Sequence, residues 1–213
     1  MKRWRVLLAD DHGIVIEGLR RVLDHPDLEI VGVVNDGRAL LREAQQIQPD
    51  IIIADITMPL LNGIDAARQI RQTNPDVKIV FLTMHPDVTF ATEALAAGGS
   101  GFVLKNSAGD ELLTAIQEVM MGRVYVTKSI AEAVNLGVSS RSKAWRSPQD
   151  PLTARQREVL QLLAEGLPIK QIAERLHISS RTVEFHKYRI MDELGLRSTA
   201  EISRYAARHG IVG

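Results

Sequence analysis

Five short, almost uninterrupted apolar runs, WRVLLA, EIVGVV, DIIIAD, KIVFLT and GFVLK, constrain this chain most. Strands that are apolar on both faces suit a parallel sheet covered by helices on either side. The intervening segments carry helical stripes: Ile14, Ile16, Leu19, Val22 and Leu23 in one, and Leu112, Leu113, Ile116, Val119 and Met120 in another. The pattern predicts a doubly wound five-stranded α/β fold over the first half. In such sheets ligands sit outside the carboxyl ends of the strands, where the strand order reverses. The polar residues at those ends are therefore the informative ones. Asp10 and Asp11 close the first strand, Asp55 the third, Thr83 the fourth and Lys105 the fifth.

Three carboxylates near one another repel unless a cation sits among them. Magnesium fits, because it takes hard oxygen ligands and keeps water in the rest of its shell. A carboxylate is also a competent nucleophile toward phosphorus, and the transfer needs positioning and charge neutralisation more than any further covalent chemistry. Taken singly, each of these residues is an ordinary helix starter, turn residue or surface lysine. All five at strand ends are not. The run Gly98-Gly99-Ser100-Gly101 lacks the ending of a phosphate-binding loop and precedes a strand, so it reads as a turn. The six histidines do not fall at metal-ligand spacings, and His12 is expected to cap or flank the first helix.

The chain is neutral overall, yet residues 1–127 hold 12 basic and 17 acidic residues, and residues 128–213 hold 14 and 9. A basic second half is the modest electrostatic footprint expected of a nucleic-acid partner. Between the halves, 128–150 turns rich in Ser, Arg, Gly and Pro, which predicts an exposed linker after about residue 137, its first part still open to being helical. The expected division is 1–122, a linker over 123–149, and 150–213. With no cysteine, thiolate metal sites and disulfides are excluded. The only apolar run near the start is too short to cross a membrane, so a soluble, cytoplasmic protein without membrane association is expected.

From Thr153 the chain reads as helical. Thr153 and Gln156 have the spacing of a capping box, Pro168 opens a short second helix, and Ser179 or Ser180 caps a third that Gly195 ends. Ser198 starts a fourth, with Ile202 and Ala206 inward. The second and third helices, joined by a tight turn, form a helix-turn-helix, an all-α four-helix unit placing its second helix in the major groove of DNA. Val183, Ile190 and Leu194 mark that helix's buried stripe, with His186 beside it. The opposite face displays Arg181, Thr182, Glu184, Phe185, Lys187 and Tyr188.

Residues 1 to about 122, through LLADDH, DITMPLLNG, FLTMH and GFVLK, resemble the receiver domain of response regulators. Residues 150–210 closely resemble the LuxR-type DNA-binding domain, and the whole chain is similar to NarL/FixJ-type response regulators. The resemblance implies Asp55 as phosphoacceptor, Asp11 as a direct magnesium ligand, Asp10 as a ligand through water, and the Thr57 carbonyl as a further ligand. It implies Lys105 and Thr83 on the phosphoryl group and Phe102 as the switch aromatic. Two departures stand out. Asn106 replaces a common proline after the lysine, so a trans bond or rearranged loop is expected there. Phe102 replaces the commoner tyrosine, leaving packing alone to carry a signal. The implied partners are a sensor histidine kinase, double-stranded DNA and a second copy of the chain, with phosphorylation releasing the DNA-binding domain from an inhibitory contact. A magnesium-dependent phosphatase and a constitutive DNA binder are the rival readings; no enzymatic turnover is expected.

Overall fold

The computed structural model describes residues 3–84, 86, 88–131 and 152–212. Its first part is a parallel sheet of β1 (Trp4–Ala9), β2 (Leu28–Val34), β3 (Ile51–Asp55), β4 (Lys78–Thr83), β5 (Gly101–Leu104) and β6 (Tyr125–Val126), in the order β2-β1-β3-β4-β5-β6. The helices are α1 (Gly13–Val22), α2 (Gly37–Ile47), α3 (Gly63–Thr73), α4 (Val88–Ala96) and α5 (Ala108–Met120). The strands alternate between two cores, as a period of two requires. In β1, Leu7 and Ala9 join Leu40 of α2, Ile70 of α3 and Ala91 of α4 on one face. Val6 and Leu8 join Ile16 of α1 and Leu112 and Ile116 of α5 on the other. Burial on both faces is why the runs are continuously apolar.

The sheet has six strands, not the expected five. The extra strand is two residues long and pairs with β5 through Gly101–Tyr125 and Phe102–Val126. Thr127 Oγ1 accepts the Leu104 amide at 3.1 Å, and Ile130, in a helical turn over 128–131, is buried in the α2–α4 core. Packing of this half therefore runs past the expected boundary at 122. A two-residue strand shows no periodicity to read. The linker expected after about 137 lies outside the described residues.

The second part is helical: α6 (Ala154–Ala164), α7 (Ile169–Leu176), α8 (Ser180–Leu194) and α9 (Thr199–Arg208). Thr153 and Gln156 form the reciprocal capping box, Ser179 caps α8 by accepting the Thr182 amide, and Ser198 caps α9. Gly195 ends α8 in the left-handed conformation at φ 65°, which glycine adopts without a Cβ clash. Val159, Leu160, Ile172, Val183, Ile190, Ile202 and Ala206 are wholly buried in one core.

Candidate functional site

The strand order reverses between β1 and β3, and there the carboxylates converge. Asp10 and Asp11 follow β1 and Asp55 ends β3, and one ligand atom from each, with one from His12, lies within 4.8 Å of the others. Lys105, on a 3₁₀ turn directly after β5, reaches in from the opposite side. Its Nζ stands 2.7 Å from Asp55 Oδ2 and 2.7 Å from Asp10 Oδ2. Asp55 Oδ1 accepts the Thr57 amide at 3.4 Å, and Thr83, ending β4, is buried. Phe102 is buried completely and pairs in register with Phe81 across β4 and β5. The Lys105–Asn106 bond is trans, there being no cis peptide among the described residues.

Burial pushes the Asp55 carboxyl above its ordinary range, Lys105 only partly offsetting it and Asp10 adding to it. Burial also works against the Lys105 charge, but its hydrogen bonds to Asp10 and Asp55 prevail and hold the ammonium above its usual value. One cation thus serves two buried carboxylates, leaving the trio short of positive charge. Gly63, the first residue of α3, keeps the loop after Asp55 close to its strand. A Cβ there would meet the Asp55 carbonyl oxygen at 2.1 Å.

His12 is the N-cap residue of α1, as expected, and its side chain also joins this cluster. Its amide donates to Asp10 Oδ1 at 2.9 Å, and Nδ1 lies 2.9 Å from Asp11 Oδ1. A lone histidine after two aspartates has no spacing signal that would separate this role from a helix start.

On α8, Arg181, Glu184, Phe185 and Tyr188 are exposed and Thr182 and Lys187 half-buried. Phe185 and Tyr188 stand 60% and 69% open, large for an aromatic pair without a partner surface. Val183 and Ile190 face inward as expected, while Leu194 is only partly buried. Burial, with Arg155 nearby, lowers the His186 pKa.

The two halves also touch. Arg157 of α6 pairs with Asp65 of α3, and Arg38 of α2 with Glu158. Gln69 donates to Glu158 Oε1 at 3.1 Å, and Leu60 packs against the helical core. Glu158 and Gln161 are consequently buried although polar, Gln161 through the Asn62 amide and the Met58 carbonyl. Helical periodicity marks such residues as solvent-facing, because nothing in the local pattern announces a second polar surface opposite.

Comparison with known proteins agrees with this architecture. Residues 6–117 match the response regulator receiver domain, and residues 150–206 match the bacterial regulatory proteins of the luxR family. The transcriptional regulatory protein MctR of Rhizobium johnstonii is 36% identical over 209 residues, spanning 98% of this chain and 95% of that protein. The oxygen regulatory protein NreC of Staphylococcus carnosus is 36% identical over 210 residues, spanning 96% and 97%. Among solved structures, the RcsB response regulator of Salmonella typhimurium, described for its conformational dynamism for DNA interaction, superposes with a TM-score of 0.66 at 27% identity, covering 98% of this chain and 99% of that one. A parallel α/β receiver followed by a four-helix DNA-binding unit defines a two-component transcription regulator. This chain belongs to the NarL/FixJ-type response regulators.

Proposed function

We propose that this regulator takes a phosphoryl group on Asp55 from a sensor histidine kinase and answers by binding promoter DNA through α8. The observation that carries the reading is the Lys105 bridge to Asp10 and Asp55, at 2.7 Å to each, at the crevice where the strand order reverses. In the transfer, an Asp55 carboxylate oxygen attacks phosphorus, the P–N bond of the donor phosphohistidine breaks, and the electron pair leaves with the imidazole. Lys105 then opposes the charge on the phosphoryl oxygens, and the Thr83 hydroxyl hydrogen-bonds to them.

The donor set fits Mg²⁺, with hard oxygens clustered around a deficit of positive charge; by the family resemblance Asp11, Asp55 and the Thr57 carbonyl would hold the ion and Asp10 would support it through water. Bound there, the ion would neutralise developing oxygen charge. The phosphoryl group adds roughly one and a half to two negative charges. That change draws on Thr83 and lets the buried Phe102 repack, biasing the receiver between two arrangements.

Arg181, Thr182, Glu184, Phe185, Lys187 and Tyr188 form the groove-facing surface. One recognition helix per chain favours a homodimer reading two half-sites. No helix among the described residues is long and apolar enough to cross a membrane, which supports a cytoplasmic site of action. The output is DNA binding, without substrate turnover. Site mapping by mass spectrometry after acetyl phosphate and Mg²⁺ tests the assignment. Label on Asp55, lost in Asp55→Asn, is expected; equal labelling of that variant contradicts it.

A further inference from the structure

His12 meets the carboxylate cluster on oxygens that Lys105 does not touch. The ammonium takes the Oδ2 atoms of Asp10 and Asp55, at 2.7 Å each. The His12 ring instead faces Oδ1 atoms, its Nδ1 lying 2.9 Å from Asp11 Oδ1 and 3.2 Å from Asp10 Oδ1. The backbone fixes that position. As N-cap of α1 the residue is extended, at φ −96° and ψ 103°, and its amide donates to the same Asp10 Oδ1 at 2.9 Å. The His12 side chain is 61% exposed and that of Asp11 30%, against 1% for Asp10, so the imidazole stands where an ion enters the cluster from solvent.

We infer that His12 is itself a ligand of the ion this cluster holds, and that its imidazole moves the site's preference from Mg²⁺ toward first-row transition dications. This rests on the reading of the cluster as a divalent-cation site. An octahedral ion with ligands at about 2.0–2.1 Å places adjacent ligand atoms about 2.9 Å apart. The separation of His12 Nδ1 from Asp11 Oδ1 matches such an edge, and one atom from each of Asp10, Asp11, His12 and Asp55 lies within 4.8 Å of the others. The donor set is therefore mixed. Carboxylate, carbonyl and water oxygens suit Mg²⁺, whereas imidazole suits zinc, nickel and iron, and affinity for nitrogen ligands rises from manganese through cobalt to copper. A neutral imidazole also adds a ligand without adding negative charge, which matters where one ammonium serves three carboxylates. An ion pair between a charged His12 and Asp11 would give the same distance but the opposite outcome. The histidinium would then hold the place of the metal, and removing it would strengthen the binding of every dication alike.

Isothermal titration calorimetry of the full chain with Mg²⁺ and with Co²⁺, at one pH and one ionic strength, measures both affinities in wild type, His12→Ala and Asp11→Asn. Circular dichroism confirms that each variant is folded. Wild type should bind one Co²⁺ more tightly than Mg²⁺. The ratio of the two affinities should fall at least about tenfold in His12→Ala, the low end of what even supporting partners contribute at a metal site. The visible absorption of bound Co²⁺ should shift in the same variant, as an oxygen ligand replaces nitrogen. Asp11→Asn should lose the Co²⁺ site together with the Mg²⁺ site. An unchanged ratio in His12→Ala overturns the inference, as does equally tighter binding of both ions there. Co²⁺ binding that persists in Asp11→Asn places the ion at another histidine and overturns it too. Each of these results leaves the carboxylate site for Mg²⁺ standing. Failure of wild type to bind either ion removes the divalent-cation reading of the cluster and this inference with it.

Discussion

Arg157 and Asp65, 92 residues apart in sequence, meet across the two halves with Nε 2.6 Å from Oδ1. The pair is largely shielded, with 13% and 6% of the two side chains exposed, and Asp65 also engages Arg68 and Asn62. Removing the arginine leaves a buried carboxylate less well matched, at a cost of about 1–3 kcal/mol for a lost charge-assisted hydrogen bond. Arg157→Ala should therefore split thermal unfolding into two less coupled transitions. Scanning calorimetry of the intact chain checks this, and an unchanged single transition would speak against the contact.

Gly63→Ala should destabilise the receiver half. The new methyl would collide with the Asp55 carbonyl, which is backbone and cannot rotate away. Overpacking of this kind costs typically about 1–3 kcal/mol, and here the relief route displaces Asp55. A lower urea midpoint together with slower labelling of Asp55 is expected; a shift in neither would show that the loop has slack.

His186 gives the helical half a pH dependence whose sign follows from its burial. Its folded-state pKa lies below the ordinary 6.5, burial first and Arg155 second. The unfolded chain thus binds more protons near that pH, and stability rises with pH there. The contribution is fully present above about pH 6.5 and is lost as pH falls through the lower folded value. Urea titrations over pH 5 to 8 should show this slope flattened in His186→Gln.

Glu184 and Lys187 should separate base reading from backbone contact. Neither Arg181 nor Lys187 forms an ion pair with Glu184 among the described residues, which leaves its carboxylate available to a base donor such as cytosine N4. Glu184→Ala should relax one base pair per half-site by roughly 1–3 kcal/mol. Lys187→Ala should weaken all sequences alike and flatten the salt dependence by about one unit. Titration against a site library at two salt concentrations checks both.

What was legible in the sequence followed from periodicity. The strands buried on both faces stand out as apolar runs, so the charged residues at their ends, Asp10, Asp55 and Lys105, which meet in the structure, could be gathered into one site from the sequence. The caps at Thr153, Ser179 and Ser198 were legible because capping chemistry is local. Long-range relationships were not. Strand β6 is too short to have a period, and His12 joins the carboxylates through a turn that no spacing encodes. Glu158 and Gln161 lie on polar positions of α6 yet are buried. A helix pattern distinguishes polar from apolar faces but not water from a second polar surface.

The account stands or falls on whether charge added at Asp55 changes the behaviour of α8. Its most direct test is titration of one selected DNA site, at fixed salt, with wild type and Asp55→Asn, each with and without acetyl phosphate and Mg²⁺. Wild type should bind several-fold more tightly when phosphorylated, and Asp55→Asn should show the same affinity under both conditions. An affinity of wild type that ignores the phosphodonor, or a response that survives in Asp55→Asn, would contradict the account.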